Sequence, residues 1–363
     1  MFLKNIKLSN FKNYSEAEFL FSEKVNGIVG ENGCGKTNLL DAIHYLSFCK
    51  SFFTPQDSFS IKFECDFFAI HGEFVSFDLG NSTKVSCAIK SPGRKIMKAN
   101  QKEYSHLSDH IGLFPLVMVS PYDHDIINEG SETRRKFFDM IISQFDKDYL
   151  HHLISYQKII NQRNNLLKNF IENHNFEPSL LSIFDEQLLT PGYYIFGKRK
   201  DFIDSIRPIF QEHYKSLSGN KEIVDICYES GLMQNSMEKG FEINELADRK
   251  SGYTNFGIHK DDYIFQINDK SVKRFGSQGQ QKSFALALKL SQFDYIHARK
   301  GIKPILLLDD IFDKLDKKRT SHLLDLVGQK HFGQVFITDT NEVRVKEILE
   351  SHNIENKIFN LTK

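Results

Sequence analysis

Residues 30–37 constrain this chain more than any other stretch, because they read Gly-Glu-Asn-Gly-Cys-Gly-Lys-Thr and match the phosphate-loop pattern G-x-x-x-x-G-K-[ST]. The glycines let successive backbone N–H groups close around phosphate oxygens. Lys36 then reaches the β- and γ-phosphates, and the Thr37 hydroxyl ligates Mg²⁺. The predicted nucleotide contacts of this loop are Gly30, Glu31, Asn32, Gly33, Cys34, Gly35, Lys36, Thr37 and Asn38. The sequence therefore predicts a site for ATP with Mg²⁺.

The residues on either side of the loop distinguish a phosphate site from an ordinary cluster of loop glycines. A phosphate loop follows a strand and opens a helix, so that the phosphates meet the positive helix N-terminus. The apolar run Val25–Val29 is typical of a short buried strand. Leu39, Ile43 and Leu46 recur at helical spacing and predict an amphipathic helix directly after the loop.

A second acidic element lies near the other end of the chain, where the apolar run Ile305–Leu308 is followed by two aspartates. Asp309 is expected to complete the Mg²⁺ shell with Thr37, because phosphoryl transfer depends mainly on positioning and charge stabilisation. Asp310 is expected to orient the attacking water, which makes it a catalytic candidate together with Lys36. Helix capping is the alternative explanation for such a carboxylate pair.

A third element, Ser277, Gln278, Gly279 and Gln280, precedes Leu286, Leu290 and Phe293 at helical spacing. A hydroxyl-bearing turn at a helix start offers N–H groups and a positive dipole end to an anion. The same residue types also cap many helices that bind nothing. The position shortly before Asp309 favours a second phosphate contact.

Bulk properties exclude several protein classes. The 363 residues are 40% hydrophobic, and 47 Lys plus Arg balance 47 Asp plus Glu, so no global basic field attracts nucleic acid. Five cysteines without C-x-x-C spacing argue against a disulfide framework and a structural zinc site. The N-terminus lacks a signal-peptide core and no run approaches a membrane span of about 18 apolar residues, so we expect a cytoplasmic protein without a membrane partner.

The pattern of elements changes twice along the chain. Residues 1–120 alternate in short runs such as 6–8, 68–75 and 85–89, whereas residues 131–170 follow a helical period. Helices continue beyond that point and are expected to be interrupted at Pro178, Pro191 and Pro208. After residue 231 the pattern is mixed again. The predicted domains are an ATPase lobe of residues 1–120 and 231–363 and an inserted helical lobe of residues 121–230, a candidate surface for DNA and for dimer contacts.

The order of phosphate loop, signature turn and acidic strand resembles the ATP-binding-cassette superfamily, in which one subunit's signature turn covers the γ-phosphate bound by its partner. Several stretches are similar to the bacterial RecF recombination mediators. These stretches are residues 8–14, residues 131–139 with Arg134 and Arg135, residues 162–164, residues 257–262 and residues 277–282. The resemblance implies an α/β ABC-type P-loop ATPase head, in which lobe I holds mixed sheets plus helices and an inserted, mainly helical lobe II follows.

The same resemblance implies partners and an activity. Members of the family bind ATP, dimerise when they do so, and bind gapped DNA or junctions of single and double strands. They work with RecR and RecO and help to load RecA. The chain is accordingly expected to be a weak, DNA-stimulated ATPase that acts as a molecular switch.

Three departures qualify the resemblance. The usual Gly-Pro-His of the family reads Gly257-Ile258-His259, so the local turn is expected to differ. The superfamily's common glutamate is Asp310 here, as in the family, and the shorter carboxylate predicts slow hydrolysis. Residues 336–340 lack the switch histidine of transporter ATPases, which leaves the γ-phosphate sensor unassigned.

Cations gather in the insertion, where seven of them between residues 133 and 168 face three carboxylates. A basic surface of this kind neutralises DNA phosphates without reading base sequence, although a charged run is also typical of a plain solvated helix face. The candidate DNA contacts are Arg134, Arg135, Lys136, Arg163, Lys198 and Arg199. Lys12 and Tyr14 are candidates to approach the adenine base.

Other classes of P-loop protein are alternatives to this prediction. Chromosome-structuring ATPases carry a long coiled coil, but seven prolines and the lack of sustained heptads between Thr37 and Ser277 exclude such an arm. A metabolic kinase or a transporter subunit, or another ABC-type ATPase that does not act on DNA, stays open as the alternative.

Overall fold

The computed structural model describes residues 1–76, 80–312, 317–328, 331–351 and 355–362. Its strands are β1 (Phe2–Phe11), β2 (Tyr14–Leu20), β3 (Val25–Val29), β4 (Phe67–Val75), β5 (Ser82–Lys90), β6 (Lys95–Ala99), β7 (Lys102–Glu103), β8 (Leu116–Val119), β9 (Val224–Glu229), β10 (Asp262–Ile267), β11 (Lys270–Ser271), β12 (Ile305–Leu308), β13 (Val335–Asp339) and β14 (Asn356–Asn360). Its helices are α1 (Lys36–Phe48), α2 (Asp125–Asn128), α3 (Ser131–Ser143), α4 (Lys147–Glu172), α5 (Pro178–Ser218), α6 (Met237–Ser251), α7 (Val272–Phe275), α8 (Gln278–Lys300), α9 (Lys317–Gly328) and α10 (Glu342–Ser351).

The chain divides into two compact units. The first unit comprises Met1–Asp123 and Lys282–Lys363, and the inserted unit comprises His124–Gln281. Residues 231–281, which the sequence analysis assigned to the ATPase lobe, therefore group with the insertion. The reason is strand pairing, because β10 runs antiparallel to β9 from Asp262 opposite Glu229 to Ile267 opposite Val224. Such pairing leaves no local signal in the sequence.

The first unit contains two sheets with α1 between them. One is a six-stranded antiparallel sheet in the order β2-β1-β4-β5-β6-β7, and the other is a five-stranded parallel sheet in the order β14-β3-β13-β12-β8. Helix α1 contacts β1, β4 and β5 of one sheet and β8 and β13 of the other. It is consequently buried on nearly all sides, and its predicted apolar face is only part of the buried surface.

The parallel sheet brings the functional loops to one edge. Strand β13 lies between β3 and β12, with Val29 opposite Asp339 and Leu308 opposite Ile337. Because the carboxyl ends of parallel strands share one edge of a sheet, the segments after β3 and β12 leave the sheet at the same edge, on either side of β13. The runs predicted at Val25–Val29 and Ile305–Leu308 are both strands with the predicted bounds.

The inserted unit is built on two long helices, α4 and α5, with α6 and the three-stranded sheet β11-β10-β9. The expectation that prolines interrupt this region is wrong for Pro191 and Pro208, which lie inside α5. A proline removes one helical hydrogen bond, but packing of α5 on α4 and β9 keeps the helix continuous. Pro178 begins the helix, where a missing N–H costs nothing. In the described part of the chain, no helix combines the length and apolarity needed to cross a membrane.

Candidate nucleotide site

The phosphate loop occupies the turn between β3 and α1, and two of its glycines are required by space as well as by conformation. Gly30 has φ 154°, and a Cβ there would lie 2.5 Å from the carbonyl oxygen of Leu361. Gly35 has φ 109°, and a Cβ there would lie 2.6 Å from Nδ2 of Asn13. A side chain at position 30 would therefore press on backbone, and one at position 35 would displace the side chain of Asn13. Both positions also need a left-handed φ that favours glycine. The glycine spacing of the motif matches the positions where the loop is most crowded.

The hairpin turn between β1 and β2 supports the loop from outside. Asn13 Nδ2 donates to the carbonyl oxygen of Cys34 at 3.2 Å, and the Tyr14 hydroxyl donates to that of Gly35 at 3.0 Å. Asn38 Nδ2 in turn donates to Asn13 Oδ1 at 2.7 Å. Sequence reasoning missed Asn13, since nothing in its spacing links it to the loop.

The structure gives Lys12 and Tyr14 roles other than an approach to adenine. Lys12 Nζ lies 2.6 Å from Oδ2 of Asp41, whose side chain is fully buried in α1. The Tyr14 hydroxyl is bound to the loop backbone, and burial raises its pKa above the usual value. Both side chains therefore hold the hairpin against the loop and the first helix.

Lys36 begins α1 and is only 3% exposed. Its ammonium group donates to the carbonyl oxygens of Gly30 at 2.8 Å and Glu31 at 3.2 Å. The lysine thus curls over the loop that it follows in sequence. Its hydrogen-bond acceptors here are neutral carbonyls, so the charge is available for phosphate oxygens.

The structure brings Thr37 and Asp309 together, although 272 positions separate them. The Thr37 hydroxyl donates to Asp309 Oδ1 at 2.9 Å. Asp309 directly follows β12 and its backbone N–H donates to the carbonyl oxygen of Val119 at the neighbouring strand end. A hydroxyl and a carboxylate at this separation are oxygen ligands that suit Mg²⁺. The residues predicted to hold the metal therefore fit it.

Thr338, at the end of β13, connects the two aspartates and was not predicted from the sequence. Its hydroxyl accepts from the backbone N–H of Asp310 at 2.8 Å and donates to Asp309 Oδ1 at 2.9 Å. Asp310 has φ 42°, a left-handed conformation that a non-glycine residue adopts only when neighbours support it. The available signal was the polar residue ending an apolar strand beside the acidic strand.

Burial changes the acidity of Asp309. The carboxyl is 3% exposed, and desolvation raises its pKa from 3.8 to about 6. Hydrogen bonds from Thr338 and Thr37 counteract this rise, and the neighbouring Asp310 charge adds to it. The ionised group is therefore poorly solvated, a condition that a bound cation relieves.

Asp309→Asn is expected to stabilise the metal-free protein at pH 8. Because the pKa of Asp309 is raised in the folded state, stability is greatest below the unfolded pKa near 4 and falls as the pH rises through about 6. The shift corresponds to about 2 to 3 kcal/mol in the free energy of unfolding above pH 7. Asparagine keeps an oxygen for both threonine hydroxyls and carries no charge. Denaturant unfolding at pH 8 and pH 4 measures the difference.

The exposed carboxylate of Asp66 provides the matched control. Its ion pair with Lys90 is 3.6 Å long and largely exposed, so Asp66→Asn should change the free energy of unfolding by less than about 0.5 kcal/mol. Equal destabilisation by both substitutions at pH 8 would show that the buried charge of Asp309 does not oppose folding.

The signature turn lies at the start of α8, in the inserted unit. Ser277 and Gln278 are exposed. Gln280 N donates to Ser277 Oγ at 3.2 Å, and Ser277 N donates to Gln280 Oε1 at 2.7 Å. This reciprocal pair is a capping box, so the capping explanation and the anion-site prediction describe the same turn. A rigid cap presents the helix N-terminus of α8 at the surface.

Two candidate DNA contacts, Arg163 and Arg199, are excluded by burial. Arg163 is fully buried, with Nε 2.6 Å from Oδ1 of Asp185 and Nη1 2.7 Å from Oδ2 of Asp248. Arg199 is 1% exposed and pairs with Asp139 and Asp261, each at 2.9 Å. Neither guanidinium has surface to offer a DNA phosphate. The prediction was based on the number of cations in the segment, and such a number does not show that these two side chains are buried.

Arg199 and Arg134 hold the segment of residues 257–262. Arg199 Nη1 donates to the carbonyl oxygen of Ile258 at 2.7 Å, and Arg134 pairs with Asp262 at 2.7 Å. His259 lies between the Tyr156 hydroxyl at 3.0 Å and the Thr254 carbonyl oxygen at 2.9 Å, and burial lowers its pKa to about 4. A 3₁₀ turn at Ile258–Lys260 shows that isoleucine is compatible with the turn.

The remaining DNA candidates differ in how much surface they offer. Arg134 is 9% exposed and committed to Asp262, so it too is a poor phosphate contact. Arg135 is half-buried and donates to the carbonyl oxygen of Asp261 at 2.6 Å. Lys136 pairs with Glu132, and both side chains are exposed. Lys198 has a 40% exposed side chain and pairs with Asp146, whose side chain is only 14% exposed. Lys136 and Lys198 are the cations best placed for an external anion.

The amino-acid sequence is similar to that of known proteins along nearly its whole length. Residues 2–60 match the family model described as the RecF/RecN/SMC N terminal domain. The DNA replication and repair protein RecF of Flavobacterium johnsoniae is 48% identical over 361 residues, which cover 99% of this chain and 100% of that protein. The chain belongs to the RecF family. RecF of Phocaeicola vulgatus, at 47% identity over 99% of this chain and 96% of its own length, agrees.

Solved RecF structures have the same fold. The structure of the recombination mediator protein RecF-ATPrS in the RecFOR pathway matches with a TM-score of 0.89 and 32% identity, covering 99% of this chain and 96% of that one. The fold is thus that of an ABC-type ATPase head of mixed α/β structure, as the resemblance to RecF implied.

Proposed function

We propose that this RecF-family chain is an ATP-binding protein of DNA replication and repair, which dimerises on ATP and binds DNA in the dimeric form. The observation that carries the proposal is the Thr37–Asp309 contact at 2.9 Å, which unites the phosphate loop with the acidic strand. The relatives support the biological assignment, since they are named DNA replication and repair protein RecF. The preferred substrate is gapped DNA, or a junction of single and double strands.

Each residue of the site has a role in holding Mg²⁺-ATP. The loop N–H groups and Lys36 would bind the β- and γ-phosphates, while Thr37 and Asp309 would supply oxygen ligands to Mg²⁺. The metal neutralises phosphate charge when bound. The carboxylate of Asp310, whose backbone N–H donates to Thr338, is proposed to accept a hydrogen bond from the attacking water.

ATP hydrolysis is proposed to be slow, so that bound ATP acts as a switch. DNA is proposed to accelerate the hydrolysis, which releases the dimer. Asp310→Asn is expected to lower ATP turnover at least about tenfold with ATP affinity nearly unchanged, because the amide cannot accept a proton. Phosphate release under saturating Mg²⁺-ATP measures turnover. A variant that hydrolyses ATP at the parental rate would remove Asp310 from the catalytic assignment.

The exposed position of the signature turn supports the proposed dimerisation. The start of α8 carries a positive dipole end and a serine hydroxyl toward the outside of the protein. A second copy can therefore place its bound γ-phosphate against Ser277 and Gly279. ATP then stabilises the dimer because it binds the closed state more tightly than the separate chains.

DNA binding is proposed to use Lys136 and Lys198 on the inserted unit. Lys198 keeps 40% of its side chain exposed, although the side chain of its partner Asp146 is only 14% exposed. The ion pair of Lys136 with Glu132 has a low value because solvent screens both side chains. A phosphate can replace such a carboxylate at little cost, whereas the buried pairs of Arg163 and Arg199 cannot exchange. Contacts of this kind carry no base specificity and weaken with salt. RecR and RecO are the proposed partners, with RecA loading as the downstream result.

Fluorescence anisotropy with gapped, duplex and single-stranded DNA, combined with size exclusion, tests the proposal. We expect ATP with Mg²⁺ to double the apparent mass and to tighten binding to gapped DNA, with affinity falling steeply between 50 and 200 mM salt, as is typical of phosphate contacts. The alternative is an ABC-type ATPase that does not act on DNA. A chain that dimerises on ATP but shows no ATP-dependent DNA binding supports that alternative.

A further inference from the structure

The side chain of Gln280 joins the signature turn to a carboxylate outside it. Its Oε1 accepts from the backbone N–H of Ser277 at 2.7 Å, and its Nε2 donates to Oε1 of Glu222 at 2.7 Å. Glu222 follows the end of α5 and is half-buried. The amide therefore lies between the first residue of the turn and a charged group from a distant segment.

Glu222 determines which way the Gln280 amide faces. An ionised carboxylate only accepts hydrogen bonds, so Gln280 must turn its NH₂ group toward Glu222. Its carbonyl oxygen then necessarily faces the N–H of Ser277. Without the carboxylate the amide can flip, and two donors would face each other in the turn. The capping box at Ser277 thus depends on a charge that is not part of the signature motif.

The carboxylate of Glu222 is itself held by a buried tyrosine of α5. The hydroxyl of Tyr214 donates to its second carboxylate oxygen, and Tyr214 is fully buried in the last turns of α5. Helix α5 ends at Ser218, and the next residue, Gly219, caps it in a left-handed conformation with φ 74° before the chain reaches Glu222. The end of α5 therefore sets the position of the carboxylate, and the carboxylate sets the conformation of the turn.

We infer that Glu222, anchored by Tyr214, is a positioning residue for the partner's ATP: it holds the signature turn in the form that binds the γ-phosphate across the dimer. This inference rests on the proposed ATP-driven dimer. Glu222 touches neither nucleotide nor metal in this role. Its effect is expected at the site completed by two chains, where the signature turn of one chain meets the ATP bound by its partner.

Glu222→Ala is expected to leave ATP binding by isolated chains unchanged and to weaken ATP-driven dimerisation by about tenfold or more, since a hydrogen bond to a charged group is lost at each turn. Tyr214→Phe keeps the packing and removes only the anchor, so a smaller loss is expected. Lys221→Ala, on the exposed neighbour, is the matched control and should dimerise as the parent does. Sedimentation velocity over a range of protein concentrations, with Mg²⁺-ATP, gives the dimer constant.

Mixing two variants separates positioning from general damage. Glu222→Ala has an intact phosphate loop and a faulty turn, whereas Lys36→Ala has an intact turn and a faulty loop. Their mixed dimer contains one site with both parts intact, so the mixture should associate with ATP more strongly than either variant alone. A misfolded Glu222→Ala chain could not restore a partner in this way.

The outcomes distinguish this inference from the proposed function. If the parent associates with ATP and Glu222→Ala associates equally well, or if the mixture shows no gain, the inference is overturned while the proposed function stands. If the parent itself never associates with ATP, the proposed function fails and the inference fails with it. Weak dimerisation of Glu222→Ala that the mixture restores, with own-site ATP affinity unchanged, supports the inference.

Discussion

Lys36→Ala is expected to abolish ATP binding at concentrations that saturate the parent, with a loss in affinity of about 100-fold or more. The ammonium group supplies charge-assisted hydrogen bonds to two phosphates, each worth about 1.5 to 3 kcal/mol. Fluorescent ATP-analogue titration measures the loss directly. ATP-driven dimerisation and ATP-dependent DNA binding should disappear together with nucleotide affinity, since both follow from the bound triphosphate.

The fold should tolerate this substitution, because Lys36 makes its hydrogen bonds to the carbonyl oxygens of Gly30 and Glu31 and not to a buried carboxylate. Lys102→Ala, on an exposed lysine of the same unit, is the matched control and should bind ATP normally. Unaltered self-association and DNA affinity in Lys36→Ala would contradict the proposal that ATP drives them.

Arg199→Ala is expected to lower the free energy of unfolding by about 3 to 5 kcal/mol. The change removes the guanidinium that pairs with two buried carboxylates, Asp139 and Asp261, and both lose that ion pair. The carbonyl oxygen of Ile258 also loses its donor. Thermal and urea unfolding, followed by circular dichroism, should show the loss most strongly in the inserted unit.

The adjacent Lys198 provides the control, because its side chain is 40% exposed and its ion pair is with a single carboxylate, Asp146. Lys198→Ala should cost less than about 1 kcal/mol and should instead weaken DNA binding. The two neighbouring cations thus have opposite expected phenotypes, one on stability and one on affinity. A stable Arg199→Ala chain that fails to bind DNA would restore Arg199 to the DNA surface.

Local pattern was sufficient for the elements of the nucleotide site. The phosphate loop has side chains and glycines whose chemistry is tied to their spacing, and the strand before it is a contiguous apolar run. Asp309 and Asp310 could be assigned for the same reason, as they end such a run. The contact of Thr37 with Asp309 follows from parallel pairing, which places those strand ends at one edge of the sheet.

Residues that act through neighbours distant in sequence could not be found in this way. Asn13 and Thr338 belong to no spacing pattern, yet one supports the phosphate loop and the other holds Asp310. The position of Glu222 beside Gln280 depends on where α5 ends. The predicted helix breaks at Pro191 and Pro208 were wrong for a related reason. The tertiary packing of α5 outweighs the loss of a helical hydrogen bond at each proline.

The amino-acid sequence by itself determined the chemistry of the nucleotide site, because phosphate loop, acidic strand and signature turn each consist of consecutive residues. Only the tertiary structure decided which charges face outwards. Arg199 and Lys198 are adjacent in sequence and carry the same charge. Arg199 is buried against the carboxylates of Asp139 and Asp261, whereas the side chain of Lys198 is 40% exposed. Burial is a property of the packed chain, so cation counts could indicate a basic segment but could not locate a DNA surface.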